Sequence, residues 1–125
     1  EPKYLPNAGS FFKNPLVPYD LFDTIQKKYP TIPFYKQNNG EIKLAAGWLI
    51  EQTGLKGYRE SGIGVHEKQA LVLINYEGKS GQQIVAFARY IQEKVWAKFN
   101  VRLIPEVRFI GGNEQSEITS LGSKE

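Results

Sequence analysis

The sequence contains no cysteine and no methionine, and His66 is its one histidine. Without cysteine the chain can form no disulfide and no thiolate nucleophile. A single histidine leaves few ligands for structural zinc or another transition metal, so we predict no metal site. The lack of cysteine fits a reducing compartment. The lack of an initiating methionine indicates a piece of a longer chain or a trimmed one.

Long hydrophobic segments are also lacking. No apolar run approaches the ~20 residues that a membrane-spanning helix needs. The first residues, Glu1-Pro2-Lys3-Tyr4, do not have the charged, apolar and small-residue regions of a signal peptide. We therefore expect no membrane segment.

A strong excess of one charge is missing as well. The chain has 16 basic and 13 acidic residues, a net charge of +3, and Lys27-Lys28 is its one adjacent basic pair. Binding to nucleic acid or to an anionic membrane surface calls for a concentrated basic patch. We therefore predict neither partner.

The hydrophobic pattern predicts alternating helices and strands. Helices are expected over 20–29 and 44–53, and a long one begins at the capping-box pair Ser80 and Gln83 and ends at Asn100. Strands are expected over 10–13, 70–75, 101–104 and 107–110, with loops at 30–41 and 57–64. The pattern favours one α+β domain in which helices pack against a small mixed β-sheet, followed by a polar tail at 113–125.

Three patterns that resemble catalytic or nucleotide-binding motifs fail on spacing. Gly78-Lys79-Ser80 is not a P-loop, because position 73, where the first glycine belongs, is a leucine. Gly62-Ile63-Gly64 lacks the third glycine of a dinucleotide fingerprint, since Glu67 stands there. A Ser10–His66–Asp20 triad is disfavoured, because Ser10 is not in a Gly-x-Ser-x-Gly elbow.

Two stretches near opposite ends of the chain are more informative together than alone. The first is Ala8-Gly9-Ser10-Phe11-Phe12-Lys13-Asn14-Pro15, and the second is Ile104-Pro105-Glu106-Val107-Arg108-Phe109-Ile110-Gly111-Gly112. Alone, the first is typical of a strand that follows a turn. Alone, the second is typical of an edge strand with a surface Glu–Arg pair.

Together these stretches resemble the C-terminal domain of the UDP-N-acetylenolpyruvoylglucosamine reductase (MurB) family. Further motifs agree in the same order, and the resemblance covers residues 4–112. They are Leu44-Ala45-Ala46-Gly47-Trp48-Leu49-Ile50-Glu51, Leu55-Lys56-Gly57, His66 with Gln69-Ala70-Leu71-Val72-Leu73-Ile74-Asn75, and Lys98-Phe99-Asn100-Val101.

The resemblance implies a flavoenzyme that makes UDP-N-acetylmuramate for peptidoglycan. In the family, NADPH reduces FAD, which delivers a hydride to C3 of the enolpyruvyl group. Ser10 matches the acid that protonates C2. Glu106 matches an acidic residue that shares with an arginine the stabilisation of the carboxyl-enolate. Such a carboxyl group acts as a stabiliser if it is protonated or bridged through a donor, which burial could arrange.

Three further positions match residues that hold the substrate, UDP-N-acetylglucosamine enolpyruvate. Asn14 matches a contact to the nucleotide sugar, Tyr35 an aromatic near the uridine diphosphate, and Gln69 a side chain that helps to hold the nucleotide. Each has a structural alternative: a turn former before a proline, a loop aromatic, and a polar residue at the start of a strand. His66 and Lys13 stay outside the catalytic set.

The family's FAD-binding domains lie N-terminal to this region, so the resemblance implies that they and the catalytic arginine are missing from this chain. We expect residues 1–125 to be a cytoplasmic, bacterial substrate-binding domain that binds no cofactor and is inactive alone. The alternative is a non-catalytic nucleotide- or protein-binding module with the same fold. Pairing of Ser10 with Glu106 in one cleft would favour the enzyme.

Overall fold

The computed structural model describes residues 3–4, 11–70 and 72–106. This part of the chain contains three helices and seven short strands. The helices are α1 (Tyr19–Lys28), α2 (Ala46–Gln52) and α3 (Gly81–Phe99). The strands are β1 (Lys3–Tyr4), β2 (Leu16–Val17), β3 (Phe34–Lys36), β4 (Ile42–Leu44), β5 (Arg59–Glu60), β6 (Ile63–Val65) and β7 (Leu73–Asn75).

The strands form two sheets, one with the order β1-β7-β6-β5 and one with the order β2-β4-β3. All strand pairs within these described sheets are antiparallel. The α+β class is confirmed, but two antiparallel sheets replace the expected single mixed sheet. Short connections such as β5–β6 and β3–β4 explain the difference, because a parallel pair needs a crossover of roughly a dozen residues or more.

Helix α3 confirms the sequence prediction most closely. The Ser80 hydroxyl accepts from the Gln83 amide, and the Gln83 side chain accepts from the Ser80 amide, which completes the capping box. The helix ends at Asn100, whose φ of 59° is left-handed. Its predicted apolar face is buried in the core. The members are Ile84, Ala88, Ile91, Val95 and Phe99.

The second predicted helix begins later than expected. Leu44 lies in strand β4, where it pairs with Phe34, and its amide donates to the Pro15 carbonyl at 2.9 Å. Helix α2 then starts at Ala46. Pairing with distant strands therefore overrides the helical spacing of Leu44. The predicted strand over 70–75 is similarly shortened to Leu73–Asn75, since the Val72 amide turns back to the Gln69 carbonyl.

The glycine-rich stretch 57–64, predicted as a loop, contains a β-hairpin. Strands β5 and β6 are joined by Ser61 and Gly62, and both turn residues have positive φ, 55° and 84°. This combination is the type I′ turn, whose twist matches that of antiparallel strands. The glycine-rich composition marked the turn, but not the strands beside it.

The C-terminal described segment packs into the core without forming a named strand. The segment 101–104 was predicted as a strand, but no strand forms there. Val101 and Leu103 are nevertheless buried. Phe12 forms an isolated antiparallel bridge with Pro105. The predicted strand over 107–110 lies outside the described residues. Within the described ranges, no helix combines the length and apolarity needed to cross a membrane.

Candidate functional site

The two informative stretches run side by side. The Glu106 amide donates to the Phe11 carbonyl at 2.8 Å, and the Lys13 amide donates to the Ile104 carbonyl at 2.8 Å. The residues that follow Ser10 in the chain are therefore hydrogen-bonded to the segment that ends at Glu106. Ser10 itself lies outside the described residues, so its side-chain placement stays a prediction.

Proline at position 105 fits this pairing. The two hydrogen bonds flank the Phe12–Pro105 bridge, which makes it the non-hydrogen-bonded kind of antiparallel pair. At such a position a backbone N–H would point away from the partner strand, so its absence in proline removes no hydrogen bond between the strands. Phe12 and Pro105 are both buried. Glu106 is thus positioned by a buried neighbour and a backbone hydrogen bond.

The Glu106 side chain itself is exposed. Burial was expected to allow this carboxyl group to act as a stabiliser, and within the described ranges the side chain is not buried. An ionised carboxylate repels another negative charge, so Glu106 could stabilise an enolate only through a bridging donor or as the carboxylic acid. Burial of Glu106 would have to come from substrate or from protein other than the described residues.

Asn14 has a structural task. Its Oδ1 accepts from the Ala46 amide at 2.9 Å, across 32 positions of sequence. Ala46 opens helix α2, and the N-cap residue, Ala45, has no side-chain oxygen to satisfy that amide. The Asn14 Nδ2 group has no hydrogen-bond partner among the described residues, which makes it the atom available to a ligand.

Tyr35 lies on strand β3 at the edge of its sheet, so the prediction of a loop over 30–41 is wrong at this residue. It pairs with Lys43, and Lys43 pairs on its other side with Leu16. Residues that are directly opposite in a sheet share a face, so these three side chains form one row. Tyr35 is 54% exposed and Leu16 52% exposed, whereas Ile42 and Leu44 are buried on the other face. The Tyr35 ring is therefore accessible to a ligand.

Gln69 lies in the connection between β6 and β7, and its side chain is exposed. Its backbone is fixed on both sides: its amide donates to Nδ1 of His66 at 3.2 Å, and its carbonyl accepts from the Val72 amide at 2.9 Å. The role of His66 in this loop was missed at the sequence level. The signal was its place three residues before Gln69.

The described structure brings some of these residues together and leaves one apart. Residues 11–14 connect Phe11, which pairs with Glu106, to Asn14. Asn14 in turn accepts from Ala46, two residues beyond the strand β4 that pairs with Tyr35. Gln69 lies in a connection between strands of the other sheet, and within the described ranges it has no hydrogen bond to the other candidates. A groove of about 430 Å³ is lined by Asn14, Trp96 and Arg102 among others, but not by Tyr35, Gln69 or Glu106.

The Gly62-Ile63-Gly64 turn leaves no space for the phosphates of a dinucleotide. Phosphate-binding glycines leave space for the ligand. At Gly62, an added Cβ would lie 2.7 Å from the Glu77 side chain, and at Gly64 it would lie 2.8 Å from the Arg59 side chain. These glycines therefore accommodate the chain's own side chains. Within the described ranges no cluster of three His, Asp or Glu residues could hold a metal ion.

Comparison with known proteins gives consistent matches. The model of the C-terminal domain of UDP-N-acetylenolpyruvoylglucosamine reductase matches residues 1–110. The enzyme of that name from Pectobacterium atrosepticum is 52% identical over 90% of this chain and 33% of its own length. The Pasteurella multocida protein is 50% identical over 96% of this chain and 35% of its own length. The chain thus spans about a third of the curated relatives it matches.

Proposed function

Because the chain belongs to the family of C-terminal domains of UDP-N-acetylenolpyruvoylglucosamine reductase, we propose that it binds substrate and donates a proton in such an enzyme. The substrate would be UDP-N-acetylglucosamine enolpyruvate, and the product UDP-N-acetylmuramate for peptidoglycan. The observation that carries this proposal is the backbone pairing of Phe11 with Glu106. It supports a common site for Ser10 and Glu106, which the reaction requires.

The proposed chemistry at this chain's own residues is a single proton transfer. The Ser10 hydroxyl gives its proton to C2 of the enolpyruvyl group as negative charge develops on the adjacent carboxyl-enolate. A serine hydroxyl is a weak acid, so it needs a strongly basic partner, which an enolate is. Glu106 borders the developing charge and acts through a donor or in protonated form. Because Glu106 is exposed, the proposal requires that substrate or further protein covers it during the reaction.

Binding of the nucleotide is assigned to three exposed groups. The Asn14 Nδ2 donor contacts the nucleotide sugar, the exposed Tyr35 ring lies near the uridine diphosphate, and Gln69 helps to hold the nucleotide. Lys43 lies beside Tyr35 on the same face of its sheet, so a positive charge adjoins the proposed diphosphate position.

FAD and NADPH belong, in this proposal, to the two thirds of the relatives' length that this chain does not match. FAD supplies the hydride when bound. Residues 1–125 alone then form an inactive substrate-binding domain of a cytoplasmic enzyme. Mixing this chain with the missing part should restore turnover that neither part has alone.

The decisive experiment is Ser10→Ala in the full-length reductase. General acid catalysis contributes typically about 10²–10⁴-fold, so turnover of the enolpyruvyl substrate should fall by roughly that factor. Reduction of the flavin by NADPH should proceed at its normal rate, because it does not involve this proton. Ser61→Ala, at the β5–β6 turn, is the control and should leave both rates unchanged. Unchanged turnover in Ser10→Ala would rule out the acid assignment.

A further inference from the structure

The loop between β6 and β7 is organised around the imidazole of His66. Nδ1 of the ring accepts from the Lys68 amide at 2.9 Å and from the Gln69 amide at 3.2 Å. The loop is closed by backbone bonds from the His66 amide to the Val72 carbonyl and from the Val72 amide to the Gln69 carbonyl, at 2.8 and 2.9 Å.

These contacts determine which nitrogen of the neutral ring carries the proton. A backbone amide can only donate, so Nδ1 must be an unprotonated acceptor, and the neutral ring carries its proton on Nε2. Nδ1 occupies the place that Oδ1 of asparagine or aspartate has in turns in which the side chain accepts from backbone amides a few residues later. Glu67, Lys68 and Gln69 include neither glycine nor proline, so the turn has no residue that imposes its backbone conformation. The imidazole does so instead.

We propose that His66 is a positioning residue of the substrate site: its Nδ1 holds the backbone at Lys68 and Gln69 so that the Gln69 side chain is presented to the nucleotide. This inference rests on the proposed function, in which Gln69 contacts substrate. His66 does not touch substrate in this scheme. It reduces the ordering that the loop must undergo when the nucleotide binds.

Three substitutions of His66 test whether an acceptor is needed and where it must lie. His66→Asn keeps an acceptor at the δ1 position and should act like the natural residue. His66→Leu keeps a branched side chain of similar reach but has no acceptor. His66→Gln moves the acceptor one bond further out, so it tests the position of the acceptor and not just its presence.

Steady-state kinetics of the full-length reductase should separate these variants. In His66→Leu and His66→Gln the KM for UDP-N-acetylglucosamine enolpyruvate should rise about 3- to 10-fold. This is the change expected when one or two neutral hydrogen bonds no longer hold the β6–β7 loop in order. The kcat should stay within about twofold, because a nucleotide contact serves ground and transition states alike. His66→Asn should retain the natural KM.

A double-mutant cycle with Gln69→Ala tests whether His66 acts through Gln69. If it does, His66→Leu should no longer change KM once Gln69 is truncated. An equal rise in KM in both backgrounds would overturn the inference, as would a KM unchanged by His66→Leu or a failure of His66→Asn to retain function. If Gln69→Ala itself leaves KM unchanged, the proposed substrate contact fails, and the positioning role fails with it.

A spectroscopic measurement on this chain is independent of catalysis. His66 is its one histidine, so the ¹⁵N imidazole signals need no assignment by mutation. Nδ1 should show the shift of an unprotonated nitrogen, and the Lys68 and Gln69 amides should exchange faster in His66→Leu than in His66→Asn. A protonated Nδ1 in the neutral ring would contradict the inference even if the kinetic effects were present.

Discussion

Replacing Gln92 by leucine should destabilise the domain through one buried hydrogen bond. Gln92 is the buried polar side chain of the described core, at 8% exposure, and its Nε2 donates to the Leu103 carbonyl at 2.7 Å. Leu103 is fully buried. The bond ties α3 to the segment that continues to Pro105 and Glu106, so it also supports the candidate site.

The magnitude follows from the carbonyl that would be left behind. Gln92→Leu keeps the side-chain volume but removes the donor, and a buried carbonyl without a partner costs about 1–3 kcal/mol. The apolar carbons that replace the amide offset part of this cost, since burial of a methylene-sized apolar group is worth about 0.8 kcal/mol. We expect a net loss of roughly 0.2–2.2 kcal/mol, centred on about 1 kcal/mol, or a fall in Tm of about 1–10 °C for a domain of this size.

Urea unfolding followed by circular dichroism measures this loss directly. Gln82→Leu is the matched control, because Gln82 lies on the same helix but is exposed. It should leave the free energy of unfolding within about 0.5 kcal/mol of the natural chain. A Gln92→Leu variant as stable as Gln82→Leu would refute the reasoning, since the buried carbonyl would then need no partner from α3.

Two further predictions concern named hydrogen bonds. The Tyr58 hydroxyl donates to the Glu60 carboxylate at 2.7 Å, and this bond is the main cause that raises the pKa of Tyr58 to about 12. A raised pKa in the folded state means that the associated stability is present below pH ~10 and is lost as pH rises towards 12. Absorbance titration at 295 nm should therefore show a late-ionising tyrosine that Glu60→Gln brings to lower pH, and an unchanged titration would contradict the assignment. Asn14→Ala should lower stability by about 1 kcal/mol, as the loss of a helix cap does, whereas Asn14→Asp keeps the acceptor for Ala46 and should stay stable. Equal urea midpoints for Asn14→Ala and the natural chain would show that the cap is dispensable.

Local signals were sufficient for the elements that depend on local chemistry. Helix α3 could be predicted from Ser80 to Asn100, because its capping box and apolar repeat lie within the segment itself. The hairpin at 59–65 could not, since Ser61 is not one of the residues that usually mark a type I′ turn. Leu44 was assigned to the wrong element because its partners, Phe34 and Pro15, are distant in sequence. Helix propensity is a weak guide where strand pairing with distant residues competes with it.

The candidate site, like the fold, could be predicted from the sequence only in part. The resemblance selected Glu106, Asn14, Tyr35 and Gln69, and the structure places each of them on a surface where a ligand can reach a side chain. The sequence could not reveal that Asn14 also caps α2, because Ala46 is 32 positions away. Nor could it reveal the exposure of Glu106, which depends on what packs beside it in three dimensions.

The position of Glu106 follows from its apolar neighbours and not from its charge. Side chains alternate along a strand, so a shift of one residue in the pairing of 11–13 with 104–106 would exchange the faces of Pro105 and Glu106. Pro105 would then leave the core and the Glu106 carboxylate would enter it, and burying an unpaired charge costs several kcal/mol. That cost exceeds the 0–1 kcal/mol that a surface ion pair typically contributes, so no ion pair formed on shifting would offset it. The register is therefore fixed before any substrate is present, and a carboxylate in an ordinary, exposed setting can still be held at a defined place beside the stretch that follows Ser10.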